Sequence, residues 1–327
     1  MIPRASVTVH DVARLAGVST ASVSRVLSGR RTVGADVDER VRSAAAELGY
    51  QVNAVGRSLR RQSTETVGLV IADITNLFFP SLTKALEDAF AHQGLGLLLA
   101  DAANDVARER DAVSRLLARQ VDALLITPVS RLQSRRTIDE ANQRTTVVQL
   151  DRRASTKAHY VGMDNSQAVS DVLAHLAELG RTSPVFIGSD PHISTTWERQ
   201  RAFSRLAPTG DRVLTGDFSL DWGRTATIEA LERWPDTDAL FCADDLIAVG
   251  AVEQLRAMGH RLPGPVAVVG FDDTLLVRLH TPPVSSVRQP LAEMAAAAVE
   301  LAVSTANLAV QRRLFPGTLQ ARPSTAP

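Results

Sequence analysis

From residue 67 onward the chain alternates apolar runs of strand length with amphipathic helices, and this rhythm restricts the fold more than any other feature. The runs are "VGLVIA" (67–72), "LGLLLA" (95–100), "DALLIT" (122–127), "TVVQL" (146–150), "PVFIG" (184–188), "DRVLTG" (211–216), "ALFCA" (239–243) and "VAVVGF" (266–271). Helical spacing fits 81–93, 105–119, 166–179, 222–233 and 245–258 between them. Strands that are apolar along their whole length are buried on both faces, and helical connections between them make the sheets parallel and covered on both sides. The alternation restarts after about residue 160, which predicts two such units; a last helix near 290–309 and a tail near 314–322 can cross back between them. With 327 residues the chain is long enough to give each unit a sizeable core.

The first 50 residues have a different texture. In "VTVHDVARLAGVSTASVSRVLSG" (7–29), Thr8 and Asp11 have the spacing of a capping box, and Val9, Val12, Ala13 and Ala16 form one helical stripe that Gly17 ends. Ser19 can cap a second helix with an apolar side of Val23, Val26 and Leu27; Thr20, Ala21, Ser24, Arg25 and Ser28 share its opposite side. Val37, Val41, Ala44, Ala45 and Leu48 make a third stripe, ended by Gly49. Two short helices at a Gly-containing turn, one presenting a slim polar face with a guanidinium, have the geometry of a helix-turn-helix, whose second helix must be thin enough for a DNA major groove. An ordinary helical hairpin with a solvated face gives the same pattern, and periodicity alone does not separate the two. Residues 51–66 read as a linker, in which "NAVGRSLRR" could form about two turns of a helix that orders only on finding a partner.

Net charge is zero but unevenly spread: residues 1–64 carry ten Arg against five Asp or Glu, and the remainder is acidic to the same extent. A basic head on an acidic body suits a head that meets a polyanion. The single cysteine, Cys242, excludes a disulfide framework within the chain and, inside "ALFCA", reads as a small buried hydrophobe. "MIPRASVT" does not have the pattern of a signal peptide and no apolar run reaches the length of a membrane span, so the expected location is the cytoplasm.

In paired α/β units, ligands bind beyond the carboxyl ends of the strands. Asp73, Asp151, Asp244 and Asp272 each follow a predicted strand; Phe78 and Phe79 follow the first, Phe218 follows "DRVLTG", and Arg199 lies near the start of a helix after "PVFIG". Carboxylates accept from hydroxyls, a guanidinium donates to sugar oxygens, and rings cover C–H faces, so this set suits a neutral polyhydroxyl ligand. Any one acid could equally be a helix cap; four at strand ends weaken that reading. No nucleophile elbow, zinc-binding HExxH, P-loop or CxxC occurs, "GLGLLL" lacks the third glycine of a dinucleotide loop, and the seven His show no metal-ligand spacing. The adjacent pairs Asp244/Asp245 and Asp272/Asp273 point in different directions and are poor acid–base dyads. No enzymatic activity, metal or cofactor is expected.

The head motif, the hinge "NAVGRSLR", "TVGLVIADITNLFF", "VVQLDRR", "ALFCADDLIAVGAV", "VAVVGFDD", "TPPVSSVRQPLAEM" and the terminal "RPSTAP" together, in this order, resemble the LacI/GalR family of bacterial transcription repressors over essentially the whole chain. That resemblance implies a small all-α helix-turn-helix head and an α/β core of two doubly wound parallel-sheet subdomains, similar to periplasmic sugar-binding proteins. It places the DNA-binding domain at 1–50, a hinge helix and linker at 51–65, and the effector-binding and dimerisation core at 66–327, with an N-subdomain of about 66–160 plus 290–316 and a C-subdomain of about 161–287 plus 317–327. Thr20, Ala21 and Arg25 match base-reading positions, and Ser19, Ser22 and Ser24 phosphate-contacting ones; Thr8, Ser28 and Tyr50 belong to the same DNA-facing set. Asn53 starts the hinge helix, Gly56 lies within it, and Leu59 matches the leucine that pries open a base step in the minor groove. Asp73, Phe78, Phe79, Asp151, Arg199, Phe218, Asp244 and Asp272 are the effector-cleft positions. The implied function is repression of a carbohydrate or nucleoside utilisation operon by a homodimer on a palindromic operator of double-stranded DNA, switched allosterically by a small effector. Four departures bear on this: Ala21 is small where relatives carry a longer polar side chain, Gly56 stands where alanine is common, Leu77 replaces a usual proline, and Asp244 replaces a usual asparagine. The added charge of Asp244 argues against a phosphorylated effector and favours a neutral sugar or nucleoside. A sugar-binding receptor without DNA function would share the core but needs a secretion signal and has no use for the head.

Overall fold

The computed structural model describes residues 7–27, 34–50, 63–304 and 309–326. Ser28 and the hinge positions Asn53, Gly56 and Leu59 lie outside them. The chain divides into two compact units, residues 1–64 and 65–327.

The first unit holds α1 (Val9–Ala16), α2 (Thr20–Leu27) and α3 (Ala35–Glu47) around a small core of Val12, Ala13, Ala16, Val23, Val26, Val41, Ala44 and Ala45. The sequence punctuation operates as expected. Thr8 and Asp11 form a reciprocal capping box, and Gly17 closes α1 in the left-handed conformation (φ 65°) that a side chain there would strain. The Ser19 hydroxyl accepts from the Ser22 amide at 3.1 Å to cap α2.

The second unit contains two six-stranded sheets. The first runs in the order β11-β5-β4-β3-β1-β2, formed by β1 (Thr66–Ile71), β2 (Gly96–Asp101), β3 (Ala123–Ile126), β4 (Thr146–Leu150), β5 (His159–Met163) and β11 (Arg312–Phe315). The second runs β12-β10-β9-β8-β6-β7, formed by β6 (Pro184–Gly188), β7 (Val213–Thr215), β8 (Ala239–Cys242), β9 (Ala267–Asp272), β10 (Ser285–Arg288) and β12 (Thr318–Gln320). All pairings are parallel except β10 with β12. Covering helices are α4 (Phe78–Ala91), α5 (Val106–Ala118), α6 (Arg135–Ala141) and α12 (Leu291–Val303) on the first lobe, and α7 (Asn165–Glu178), α8 (Ser194–Leu206), α9 (Leu220–Arg233), α10 (Asp245–Ala257) and the short α11 (Leu275–Leu279) on the second. The chain crosses between the lobes after β5, after β10 and after β11.

All eight expected strands form. Four others, β5, β10, β11 and β12, escaped the pattern because they are short and partly polar; β10 buries Ser285 and Ser286, whose hydroxyls hydrogen-bond within the second lobe. The last helix ends at Val303 rather than near 309. Arg199 sits in the second turn of α8, near its start. Among the described residues no helix is long and apolar enough to cross a membrane.

Helices α9 and α10 approach each other at Gly223 and Gly250. A Cβ on Gly250 would lie 2.1 Å from the Leu220 carbonyl oxygen, and one on Gly223 would lie 2.2 Å from that of Ile247. Backbone cannot yield as a side-chain tip can, so Gly250→Ala should cost about 1–3 kcal/mol of stability, read as a lower denaturation midpoint. An unchanged midpoint would show that the helices separate freely.

Candidate functional site

Several residues at the carboxyl ends of both sheets converge where the lobes face each other. Phe78 and Phe79 open α4 and pack edge-to-face, centroids 5.2 Å apart. Asp151 follows β4 and Asp272 ends β9, both at positive φ (56° and 100°), a conformation costly for residues other than glycine. The strain falls at the two strand ends that bring these carboxylates together. Asp244 caps α10, its Oδ1 accepting from the Ile247 amide at 2.9 Å, while its Oδ2 accepts from Asn76 Nδ2 of the other lobe at 3.3 Å. Arg199 is fixed by donating from Nε to Asn165 Oδ1 (2.9 Å) and from Nη1 to the Ala243 carbonyl (2.7 Å), and it stacks on Phe271.

Seven of the eight expected effector positions, Phe78, Phe79, Asp151, Arg199, Phe218, Asp244 and Asp272, line one tight crevice of about 10 Å³. The eighth, Asp73, lines an adjoining chamber of about 450 Å³ that also reaches Phe79 and Phe218. Asp73 accepts from Thr75 and from Asn104 Nδ2 (2.7 Å), so its carboxylate is held by loop residues at the chamber wall.

Four side chains that the sequence did not single out complete the site. Arg152 is 4% exposed and lies between Phe79 and Phe218, its guanidinium 5.2 and 5.7 Å from the ring centroids, one ring from each lobe. Its Nε and Nη1 are buried without a hydrogen-bond partner, and such N–H groups call for an acceptor. Gln289, at the second crossover, donates from Nε2 to Asp272 (2.7 Å) and Asp151 (3.4 Å), joining the acids of the two lobes; its Oε1 is likewise unpartnered. Asn76 and Thr195 line the crevice beside them. Arg152 is adjacent to Asp151 in "LDRR" and could have been flagged as a second charge at a strand end. Gln289 carries no such signal.

Burial dominates the electrostatics. It pushes Asp151 up to about 6, against the pull of Arg199 and Arg152. It pushes Asp244 up to about 7, helped by the charge of Asp272 and opposed by the Ile247 amide. Asp272 is raised for the same reason, and burial lowers the Arg152 guanidinium. The neighbouring acids do other work: Asp245 accepts from Ser286 and the Thr274 amide, and Asp273 pairs with Arg288 and Arg322. Each of the two Asp–Asp pairs therefore splits between cleft and scaffold. The Cys242 thiol is buried and pushed well above its usual range.

In the first unit, Ser19, Ala21 and Arg25 are exposed and Thr20, Ser22 and Ser24 are half-buried; Ala21, Ser24 and Arg25 lie on the side of α2 away from Val23 and Val26. Thr8 is exposed, with its hydroxyl committed to the α1 cap. Tyr50 packs half-buried against the head core.

A three-helix head whose second helix shows a narrow polar face, joined to a two-lobed core with a polar cleft, defines a ligand-responsive DNA-binding regulator. Residues 8–53 match the family model described as bacterial regulatory proteins, lacI family, and residues 173–325 match a periplasmic binding protein-like domain. The chain is 33% identical over 313 residues to the HTH-type transcriptional regulator GalR of Escherichia coli (92% of this chain, 89% of that protein). It is 30% identical over 299 residues to the ribose operon repressor of Halalkalibacterium halodurans (90% and 89%). Among solved structures it resembles the transcriptional regulator CelR–cellobiose complex (30% identity, TM-score 0.71, covering 97% and 99%). The fold also matches the Lac repressor dimer bound to operator and the anti-inducer ONPF (23%, TM-score 0.87, 98% and 99%). The chain belongs to the LacI family, and it is a DNA-binding transcriptional repressor, not an enzyme.

The raised carboxyls have a measurable consequence. Asp151 and Asp244 hold protons in the native state at pH values where an unfolded chain has lost them, so their contribution to stability falls as pH rises from about 4 through about 7. Asp244→Asn removes one of these groups and should gain stability relative to the parent as pH rises from roughly 5 to 8. Denaturation midpoints across that range measure it; a constant difference would mean that Asp244 is ionised throughout.

Proposed function

We propose that this repressor binds a palindromic operator as a homodimer and is switched by a small neutral polyhydroxyl effector, a sugar or nucleoside, held in the cleft by Asp73, Phe78, Phe79, Asp151, Arg199, Phe218, Asp244 and Asp272. The observation that carries this reading is the convergence of seven of those residues, from both lobes, on one crevice. Unpartnered N–H groups on Arg152 suit hydroxyl oxygens, the carboxylates suit hydroxyl hydrogens, and Phe79 and Phe218 suit a ring's C–H faces. The acid-rich lining disfavours a phosphorylated effector in this cleft. The CelR relative, whose complex contains cellobiose, supports a carbohydrate.

On the DNA side, Thr20, Ala21 and Arg25 read bases from the major groove, with Ser19, Ser22 and Ser24 on phosphates; Arg25 can meet a guanine with both arms of its fork, worth about 1–3 kcal/mol of discrimination. Residues 1–50 are the DNA-binding domain, 51–65 the hinge and 66–327 the effector-binding and dimerisation core. The protein works in the cytoplasm with the DNA it controls. DNA and effector each favour one state of the core, so each changes the other's affinity by the same factor.

A gel shift against the DNA upstream of the protein's own gene, repeated with a panel of sugars and nucleosides, tests both halves. Asp272→Ala should abolish the response to the active compound and leave operator binding intact. A normal response in that variant would remove Asp272 from the effector site.

Exposed apolar side chains support the dimer. Ile74, Leu77 and Leu99 are exposed on the first lobe, with Leu99 on the edge strand β2; Leu275 and Leu279 are exposed on α11, Leu279 at 72%. An exposed edge strand with an outward leucine is a surface that a second copy can cover. Leu99→Glu should shift sedimentation from dimer to monomer and weaken operator binding; a dimer of unaltered affinity would put the interface elsewhere.

A further inference from the structure

A second recess lies beside the cleft, outside the crevice and chamber described above. It consists of two adjoining hollows of about 190 and 240 Å³ that share Arg153, Trp197 and Glu198. We infer that this recess is a second ligand site, specific for a small oxyanion such as a phosphate or carboxylate group of a metabolite, and that the bound anion holds the two lobes together.

Guanidiniums from both lobes face it. Arg131 and Arg153 come from the turns after β3 and β4 of the first lobe, and Arg312 from β11; Arg201 and Arg205 come from α8 of the second lobe. Arg131 and Arg201 lie 5.1 and 5.2 Å from the centroid of Trp197, which keeps their charged planes beside the recess. Only two acids line it, and both are engaged. Glu198 accepts from Arg153 Nε (2.9 Å) and Nη2 (2.8 Å) through Oε1, and from Asn165 Nδ2 (2.8 Å) through Oε2. Asp164 Oδ1 accepts the Ser166 and Gln167 amides at the start of α7. Two of the other arginines have neutral partners: Arg131 Nε donates to the Pro191 carbonyl and Arg205 Nη2 to the Ser166 hydroxyl. Among the described residues no carboxylate lies within ion-pair distance of Arg131, Arg201, Arg205 or Arg312. Five guanidiniums against two committed acids leave a concave surface with excess positive charge, and planar guanidinium forks match oxyanions bidentately.

The recess also lies on a clasp between the lobes. The Arg131 amide donates to the His192 carbonyl at 2.8 Å, the Arg153 amide to Ser194 Oγ at 2.9 Å, and the Arg153–Glu198 ion pair spans the same gap. An anion bonded to Arg131 or Arg153 on one side and Arg201 or Arg205 on the other adds a further link across it. Such an anion acts on the lobe arrangement that the effector also uses, which makes it a second input to the switch. The two sites differ in charge: the cleft is rich in carboxylates, the recess in guanidiniums.

The experiment uses the full chain with Trp222→Phe and Trp234→Phe, leaving Trp197 as the one tryptophan of the original three. Fluorescence is titrated with inorganic pyrophosphate and with citrate, ionic strength held constant with potassium chloride. A saturable change is expected with pyrophosphate; a matching change with citrate extends the site to carboxylates. Arg201→Ala with Arg205→Ala should weaken binding by at least about tenfold, whereas Arg110→Ala, at an exposed arginine of α5 outside the recess, should leave it unaltered; the titration contains no sugar or nucleoside, so the result stands apart from whether either acts in the cleft. If the double tryptophan variant does not fold, calorimetric titration of the parent chain and the two arginine variants replaces fluorescence. A response that follows ionic strength alone, or binding that survives loss of Arg201 and Arg205, overturns the proposal.

Discussion

Two buried carboxylates, the half-buried Asp272 and two buried guanidiniums meet at the carboxyl ends of the two sheets, and the core is organised around keeping that group balanced. A buried charge left unpaired is far more costly than a paired one. Asp151 lies beside Arg152, Arg199 is pinned by an asparagine and a backbone carbonyl, Asp244 spends one oxygen on a helix cap, and Gln289 ties Asp151 to Asp272. Burial outweighs those partners and raises all three carboxyls. A site left short of hydrogen-bond partners in this way can gain them from a polar ligand.

Much of this was legible in the sequence because it obeys local rules. Thr8, Gly17 and Ser19 mark helix ends by chemistry that acts over three residues, and the apolar runs mark the strands whose two faces are both covered. The acids at strand ends could be found because a parallel sheet always delivers those positions to one edge. What escaped was non-local or atypical. Strand β5 contains His159 and Tyr160, and β10 is half serine; both are placed by partners far along the chain, β5 by β11 and β10 by the Thr325 hydroxyl. Gln289 lies 138 residues from Asp151, and nothing in its neighbourhood predicts their meeting. Arg152 was visible as a residue, but its place between two phenylalanines from different lobes was not.

The adjacent acids divide for local reasons too. In Asp244–Asp245, the first is the N-cap of α10 and faces the cleft, while the second opens the helix and is buried against Ser286 and Thr274. In Asp272–Asp273, both residues take positive φ, and the second is drawn to Arg288 and Arg322. One member of each pair secures the scaffold that aims the other. This accounts for two adjacent like charges in a buried region without any acid–base chemistry between them.

The dimensions of the cleft then constrain how a ligand enters. The inner crevice, at about 10 Å³, has room for about one water molecule, far less than a sugar ring, and the Arg152 guanidinium fills the slot between Phe79 and Phe218. The adjoining chamber of about 450 Å³ reaches both rings from one side, but an effector that enters between them must displace Arg152 or part the lobes that carry them. The three crossings after β5, β10 and β11 provide a hinge for the second course, and Gln289 sits at one of them. Opening the hinge breaks the contacts of Asn76 with Asp244 and of Gln289 with the two acids, so the hydrogen bonds that a ligand must replace are those that define the closed arrangement. For a ligand that reaches the inner crevice, binding is coupled to the contacts between the lobes, which is the physical requirement for a site in the cleft to be felt elsewhere in the core.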